Sequence, residues 1–106
     1  MRNPNRFDMT DSEALLVGVD FSPQMAGSDT IGASNSNGTT QVVVFDSAGT
    51  DQSGTMIEAG SLNIDGQVLM ARIENAIAGE RYSMNFMAAS SNGDYLETKI
   101  VVRAED

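Results

Sequence analysis

With 106 residues, of which 41% are apolar, and a net charge of −9, the chain has the composition of one soluble globular domain and not of a disordered segment. It contains neither Cys nor His, which excludes disulfides, nucleophilic Ser-His or Cys-His sites, and almost all zinc, haem and iron–sulfur ligation. Short apolar runs exclude a transmembrane span and the acidic balance offers no basic footprint, so neither a membrane nor nucleic acid is an expected partner.

The N-terminal residues predict an arm that precedes the folded domain. Residues 1–12 carry Pro4 and scattered charges without a periodic apolar pattern. Residues 1–14 also lack the apolar stretch and the small-residue cleavage site of a secretory signal, so we expect a protein that is assembled in the cytoplasm. The domain is expected to cover residues 13–106.

The first half of the domain reads as short strands separated by turns. Leu15, Val17 and Val19 alternate with other residues until Ser22 and Pro23 end the pattern, which predicts a first strand. A second short strand is expected around Ile31, followed by a turn in residues 35–38 that is rich in Asn and Gly. The β-branched run at residues 41–45 predicts a central strand, whereas residues 55–59 are ambiguous.

The second half predicts two hairpins. Asp65-Gly66 is a strong turn signal, and the strand after it covers residues 67–74. In a strand, Leu69 points to the opposite side from Val68 and Met70. Either only one of these two sides faces the core, or both sides are buried. Residues 70–78 also contain helix formers, which leaves a short helical turn as an alternative. Asn92-Gly93 joins residues 80–90 to residues 94–104, the clearest pair of strands in the chain.

About seven short strands with regularly spaced turns are typical of an antiparallel β-sandwich or a small barrel. The all-β prediction carries a predicted core, which consists of Leu15, Val17, Val19, Ile31, Val42, Val44, Leu69, Tyr82, Met84, Phe86, Ile100 and Val102.

Two classes of chemistry remain open to a chain without Cys and His. Asp46 and Asp51 place oxygen atoms in a flexible loop and are weak candidates for binding calcium, although their spacing matches no standard calcium loop. A glycosidase needs two facing carboxylates, but the chain has no Trp to hold a sugar ring. We therefore predict neither an enzyme nor a cofactor, and no catalytic residue.

The segments predicted to contact a partner are the arm, the loop at residues 22–27 and the middle section at residues 46–60, and Met87 is added because it lies on the non-core side of the strand at residues 80–90. Seven Met residues are many for this length, and Met side chains fill cores or form adaptable contact surfaces. The candidate contacts are Arg2, Arg6, Phe7, Met9, Pro23, Met25, Met56 and Met87.

Residues 78–86, Ala-Gly-Glu-Arg-Tyr-Ser-Met-Asn-Phe, resemble the second half of fibronectin type III and related immunoglobulin-like domains. In those domains a small residue and a Gly precede the Tyr that opens the penultimate strand. The resemblance implies an immunoglobulin-like sandwich in which Tyr82 is the tyrosine-corner residue, its hydroxyl reaching back to the upstream backbone.

Across residues 13–104 the layout also resembles the small immunoglobulin-like structural proteins of tailed bacteriophages. The shared features are the first strand ending in Ser22-Pro23, the Asp29-Thr30-Ile31 segment and the turn before Tyr82. Gln24 departs from this pattern, since an aromatic residue is common there, and so does the longer section at residues 46–66.

This resemblance implies a virion protein, assembled in the host cytoplasm as a homo-oligomeric ring or on a lattice, whose partners are other virion proteins. A neck or tail adaptor for fibres and a capsid decoration protein are both consistent with it. A calcium-dependent adhesion or carbohydrate-binding module is the alternative of another class.

Overall fold

The computed structural model describes residues 6–105, and strands dominate them. These residues form ten strands: β1 (Arg6–Thr10), β2 (Leu15–Asp20), β3 (Ile31–Gly32), β4 (Ser34–Asn35), β5 (Gly38–Thr39), β6 (Gln41–Asp46), β7 (Asn63–Asp65), β8 (Val68–Ile73), β9 (Arg81–Ser90) and β10 (Tyr95–Glu105). A 3-10 turn at Ser22–Gln24 and one turn of α-helix, α1, at Ser53–Met56 complete the structure. The all-β prediction is confirmed. Within residues 6–105, no helix is both long and apolar enough to cross a membrane.

The larger sheet is built around the hairpin of β9 and β10. These two strands pair antiparallel over nearly their whole length, and Gly93 in the turn between them has a φ of 99°. Strand β1 adds to β10 in parallel. On the other side of β9, β6 pairs with its first part and β3 with its end, which completes a five-stranded sheet.

A three-stranded sheet has the order β2-β8-β7, and β4 pairs with β5 as a separate ribbon. The turn between β7 and β8 contains Gly66 in the left-handed region, with a φ of 62°, a conformation that Gly adopts readily. The predicted turns at residues 35–38, 65–66 and 92–93 therefore all connect paired strands.

The buried faces of both large sheets contribute side chains to one core cluster. Burying a large aliphatic or aromatic side chain contributes roughly 1.5–3 kcal/mol, so this cluster dominates the stability. Eleven of the twelve predicted core residues are buried, and Leu15 is half-buried against them. In β8 the inward side chains are Leu69, Ala71 and Ile73, so the side that carries Leu69 faces the core.

One expectation and one alternative about local structure differ from the observed fold. Of the predicted arm, residues 6–10 form β1, and Met9 lies opposite Ala104 with 2% of its surface exposed, because its side chain points from the pleat into the core. Residues 1–5 of that arm lie outside the described residues. No helical turn forms at residues 70–78, since strand β8 continues to Ile73.

Candidate interaction surfaces

Asp46, a predicted calcium candidate, organises the loop that follows β6. One carboxylate oxygen accepts hydrogen bonds from the backbone N–H groups of Thr50 at 2.9 Å and Ala48 at 3.0 Å, and the other accepts one from the Gln52 amide at 3.0 Å. These bonds, that from Thr50 first, hold the pKa of Asp46 below its ordinary value because they favour the charged form.

Asp51, the second candidate, has a similar local role. Its carboxylate accepts a hydrogen bond from the Ser53 N–H at 2.8 Å, and hydrogen bonding by Ser53 lowers its pKa. The Ser53 hydroxyl in turn accepts from the Val44 N–H at 2.8 Å, and the Gln52 N–H donates to the Val44 carbonyl at 2.7 Å. The loop thus covers the outer edge of β6, a common protection of sheet edges. Residues 6–105 contain no group of three or more acidic side chains placed to hold a metal ion.

Tyr82 ties the start of β9 to the preceding crossover. Its ring is buried, and its hydroxyl accepts a hydrogen bond from the Ile77 N–H at 3.0 Å. Beside it opens a cleft of about 390 Å³, which Asp46, Met56 and Glu80 help to line. The Ile77 side chain at its rim is 65% exposed, so the cleft has an apolar wall and acidic edges.

The solvent-facing side of the five-stranded sheet carries four basic side chains. We call this surface the arginine face; it includes Arg6 on β1, Arg81 on β9, and Lys99, Val101 and Arg103 on β10, and it also carries Asp8, Glu97 and Glu105. Its residues alternate with buried ones, which establishes that they point outward. Val101 is half-buried at its centre, opposite Arg6 on one side and Ser83 on the other.

The solvent-facing side of the three-stranded sheet is acidic and partly apolar. We call it the acidic face; it consists of Leu16 and Asp20 on β2, Asp65 on β7, and Val68, Met70 and Arg72 on β8. The register places Val68 opposite both Asp20 and Asp65.

Neighbouring contacts shape this acidic face. The Met70 side chain lies against Gly18, where an added Cβ would be 3.1 Å from the Met70 Cγ. Arg72 pairs with Glu58 at 3.3 Å, and Leu16 is 55% exposed.

The predicted contact residues are distributed unevenly. Arg2 lies outside the described residues, Arg6 and Pro23 are exposed, and Phe7, Met25 and Met87 are half-buried. Met9 and Met56 are each 2% exposed, which corrects the expectation that their side chains are accessible: both point into the core from β1 and α1.

Sequence reasoning missed the pairing of Arg81 with Arg103, although the Asn92-Gly93 turn was a signal from which their register could be counted. A second signal was also overlooked: residues 7–71 contain no Lys or Arg. Comparison of the chain with family models, with curated proteins and with solved structures found no match.

Proposed function

We propose that this chain is an immunoglobulin-like sandwich. In that fold the B, E and D strands form one sheet and C, F and G the other. The pairings of β2, β8 and β7, and of β6, β9 and β10, support this correspondence. Tyr82 opens the strand equivalent to F, and its hydroxyl bonds to backbone five residues upstream, as expected of a tyrosine corner. The first strand joins the C-F-G sheet beside G, not the B strand.

The function we propose is non-catalytic assembly of a tailed-bacteriophage virion, with the chain as a neck or tail adaptor for fibres. The observation that supports assembly most directly is the apolar character of the outer sheet faces. A sheet that faces water on one side normally alternates apolar and polar residues. Here Leu16 is 55% exposed, and Val68, Met70 and Val101 are half-buried on solvent-facing sides. Apolar patches with a polar rim are typical of protein–protein contacts. The placement in a virion comes from the resemblance to phage proteins.

Mass spectrometry of purified particles tests this proposal. The particles are those produced by the genome that encodes the chain, and the expected result is the chain at a fixed copy number relative to the major capsid protein. Labelling with an antibody then separates a neck or tail position from the capsid decoration alternative. Consistent absence of the chain from intact particles contradicts the virion proposal.

Calcium titration tests the adhesion alternative independently. Because Asp46 and Asp51 already accept hydrogen bonds within their loop, we expect the thermal midpoint to be the same with calcium and with a chelator. A midpoint that rises with calcium concentration favours the calcium-dependent module instead.

A further inference from the structure

Two arginines lie directly opposite each other on the arginine face. Arg81 on β9 and Arg103 on β10 are register partners, and both side chains are exposed on the same side of the sheet. Directly opposite residues have Cβ atoms about 4.5–5.5 Å apart, and like charges in such positions destabilise a sheet. Within the part of the chain that the structure describes, neither guanidinium has a carboxylate within salt-bridge distance; the ion pair found there joins Arg72 and Glu58.

The other basic side chains of the arginine face strengthen this local charge. Arg6 is the register partner of Val101, and Lys99 lies two residues before it on the same side of β10. Asp8, opposite Arg103 on β1, offsets part of the charge. Glu97 and Glu105 point to the same side of β10. The arginine face therefore combines a half-buried Val with four of the six basic residues of a chain of net charge −9.

The acidic face has the complementary composition. Residues 7–71 contain nine acidic residues and no Lys or Arg, and this segment supplies two of the three strands of the smaller sheet. On that sheet Val68 lies beside Asp65, just as Val101 lies beside Arg6 on the other. The charged residues placed beside the two Val side chains are thus opposite in sign, with Arg6 opposite Val101 and with Asp20 and Asp65 opposite Val68.

We propose that copies of this chain associate head to tail, with the arginine face of one copy against the acidic face of the next. The inner sides of both sheets share one core cluster, so their outer faces point away from each other and every copy offers one face to each of two neighbours. A contact of this heterologous kind forms a ring when the rotation between copies closes. Carboxylates from the neighbouring copy offset the repulsion between Arg81 and Arg103. This contact explains why two arginines occupy directly opposite positions. The inference deepens the assembly function proposed above and rests on it.

Sedimentation velocity of the full chain tests the contact, with Arg81→Glu as the first variant. The expected result is self-association of the unchanged protein at concentrations up to about 0.2 mM, and an association constant at least about tenfold lower for the variant. Ser34→Glu combined with Ser36→Glu is the matched control, because it lowers the net charge by the same two units at exposed positions outside both faces. The control is expected to associate like the unchanged protein, since charges within one Debye length, about 8 Å at physiological salt, dominate.

A charge swap tests which two faces meet. Asp65→Arg alone is expected to weaken association, whereas an equimolar mixture of the Asp65→Arg and Arg81→Glu chains is expected to recover it, because both contacts then join opposite charges. Thermal unfolding verifies that each variant is folded, and Arg103→Glu, at the register partner of Arg81, replaces Arg81→Glu where the latter does not fold.

Three outcomes overturn the proposal: a chain that is monomeric at every concentration, an Arg81 variant that associates normally, or a mixture that does not recover. The failure of this proposal can be distinguished from the failure of the proposed function. None of these three outcomes bears on whether the chain is found in purified particles. A chain that associates head to tail but is absent from particles contradicts only the virion assignment.

Discussion

Removal of the Tyr82 hydroxyl measures how much the corner before β9 contributes to stability. In Tyr82→Phe the ring stays in the core, but the Ile77 N–H loses the acceptor that lies 3.0 Å away. A lost hydrogen bond contributes about 0.5–1.5 kcal/mol, and a buried donor left without a partner costs about 1–3 kcal/mol. Because the Ile77 side chain is 65% exposed, water can reach part of this backbone, and we expect a loss of roughly 1–2 kcal/mol in the free energy of unfolding.

Urea unfolding followed by far-UV circular dichroism checks this value, with Tyr95→Phe as the matched control. The Tyr95 hydroxyl donates to the Thr39 carbonyl at 2.6 Å in an exposed position, where water replaces the lost partner. We expect the control to change stability by less than about 0.5 kcal/mol. A drop of 1 kcal/mol corresponds to a fall of roughly 4–8 °C in Tm for a domain of this size. Equal losses in the two variants would refute the reasoning that the Tyr82 hydroxyl has a special structural role.

Three further predictions test a buried core residue, a glycine that lies close to an aromatic ring, and a charged loop. Met9→Ala is expected to lower the free energy of unfolding by about 2–5 kcal/mol, because Met9 is 2% exposed. Met87→Ala, on a solvent-facing side, is expected to lower it by less than half as much. Similar losses for the two variants in urea unfolding would contradict the burial of β1. Gly38→Ala places a Cβ 2.6 Å from an aromatic ring and is expected to destabilise by about 1–3 kcal/mol, while Gly27→Ala, with nothing within 4 Å, is near neutral by the same assay. Because the pKa of Asp46 is lowered in the folded state, Asp46→Asn is expected to lower Tm at neutral pH. The difference in Tm should begin to shrink near pH 4, about the ordinary pKa of Asp, and vanish only below the lowered pKa of the folded state; a difference that grows in acid would contradict this sign.

Local pattern was sufficient to predict the paired strands near the C-terminus. The period-two alternation of residues 80–90 and 94–104 around Asn92-Gly93 reports which side of each strand is buried, because a strand turns successive side chains to opposite faces. The same argument identified Val17, Val19, Val42 and most other core members before any contact was known.

Pairing between distant segments was not accessible in this way. Phe7 and Met9 alternate with polar residues in β1, but nothing local indicates that their strand lies in parallel beside residues 101–105. Strand β8 had an apolar pattern on both sides, and only its place between β2 and β7 determined that Leu69 faces the core. Met56 likewise became a core residue because α1 packs beside β6.

The candidate surfaces show the same division between sequence and tertiary structure. Composition alone determined that the chain is acidic and lacks Cys and His, since both follow from counting residues. Asp46 and Asp51 accept hydrogen bonds from backbone N–H groups of their own loop, and only the folded loop brings those groups within 3.0 Å. The sequence alone therefore did not determine whether these carboxylates point outward. The two faces depended on strand register, because Arg81 and Arg103 are 22 residues apart in the chain and become neighbours only when β9 and β10 pair. Sequence therefore determined the kind of fold and its charge, whereas tertiary pairing decided where that charge is concentrated.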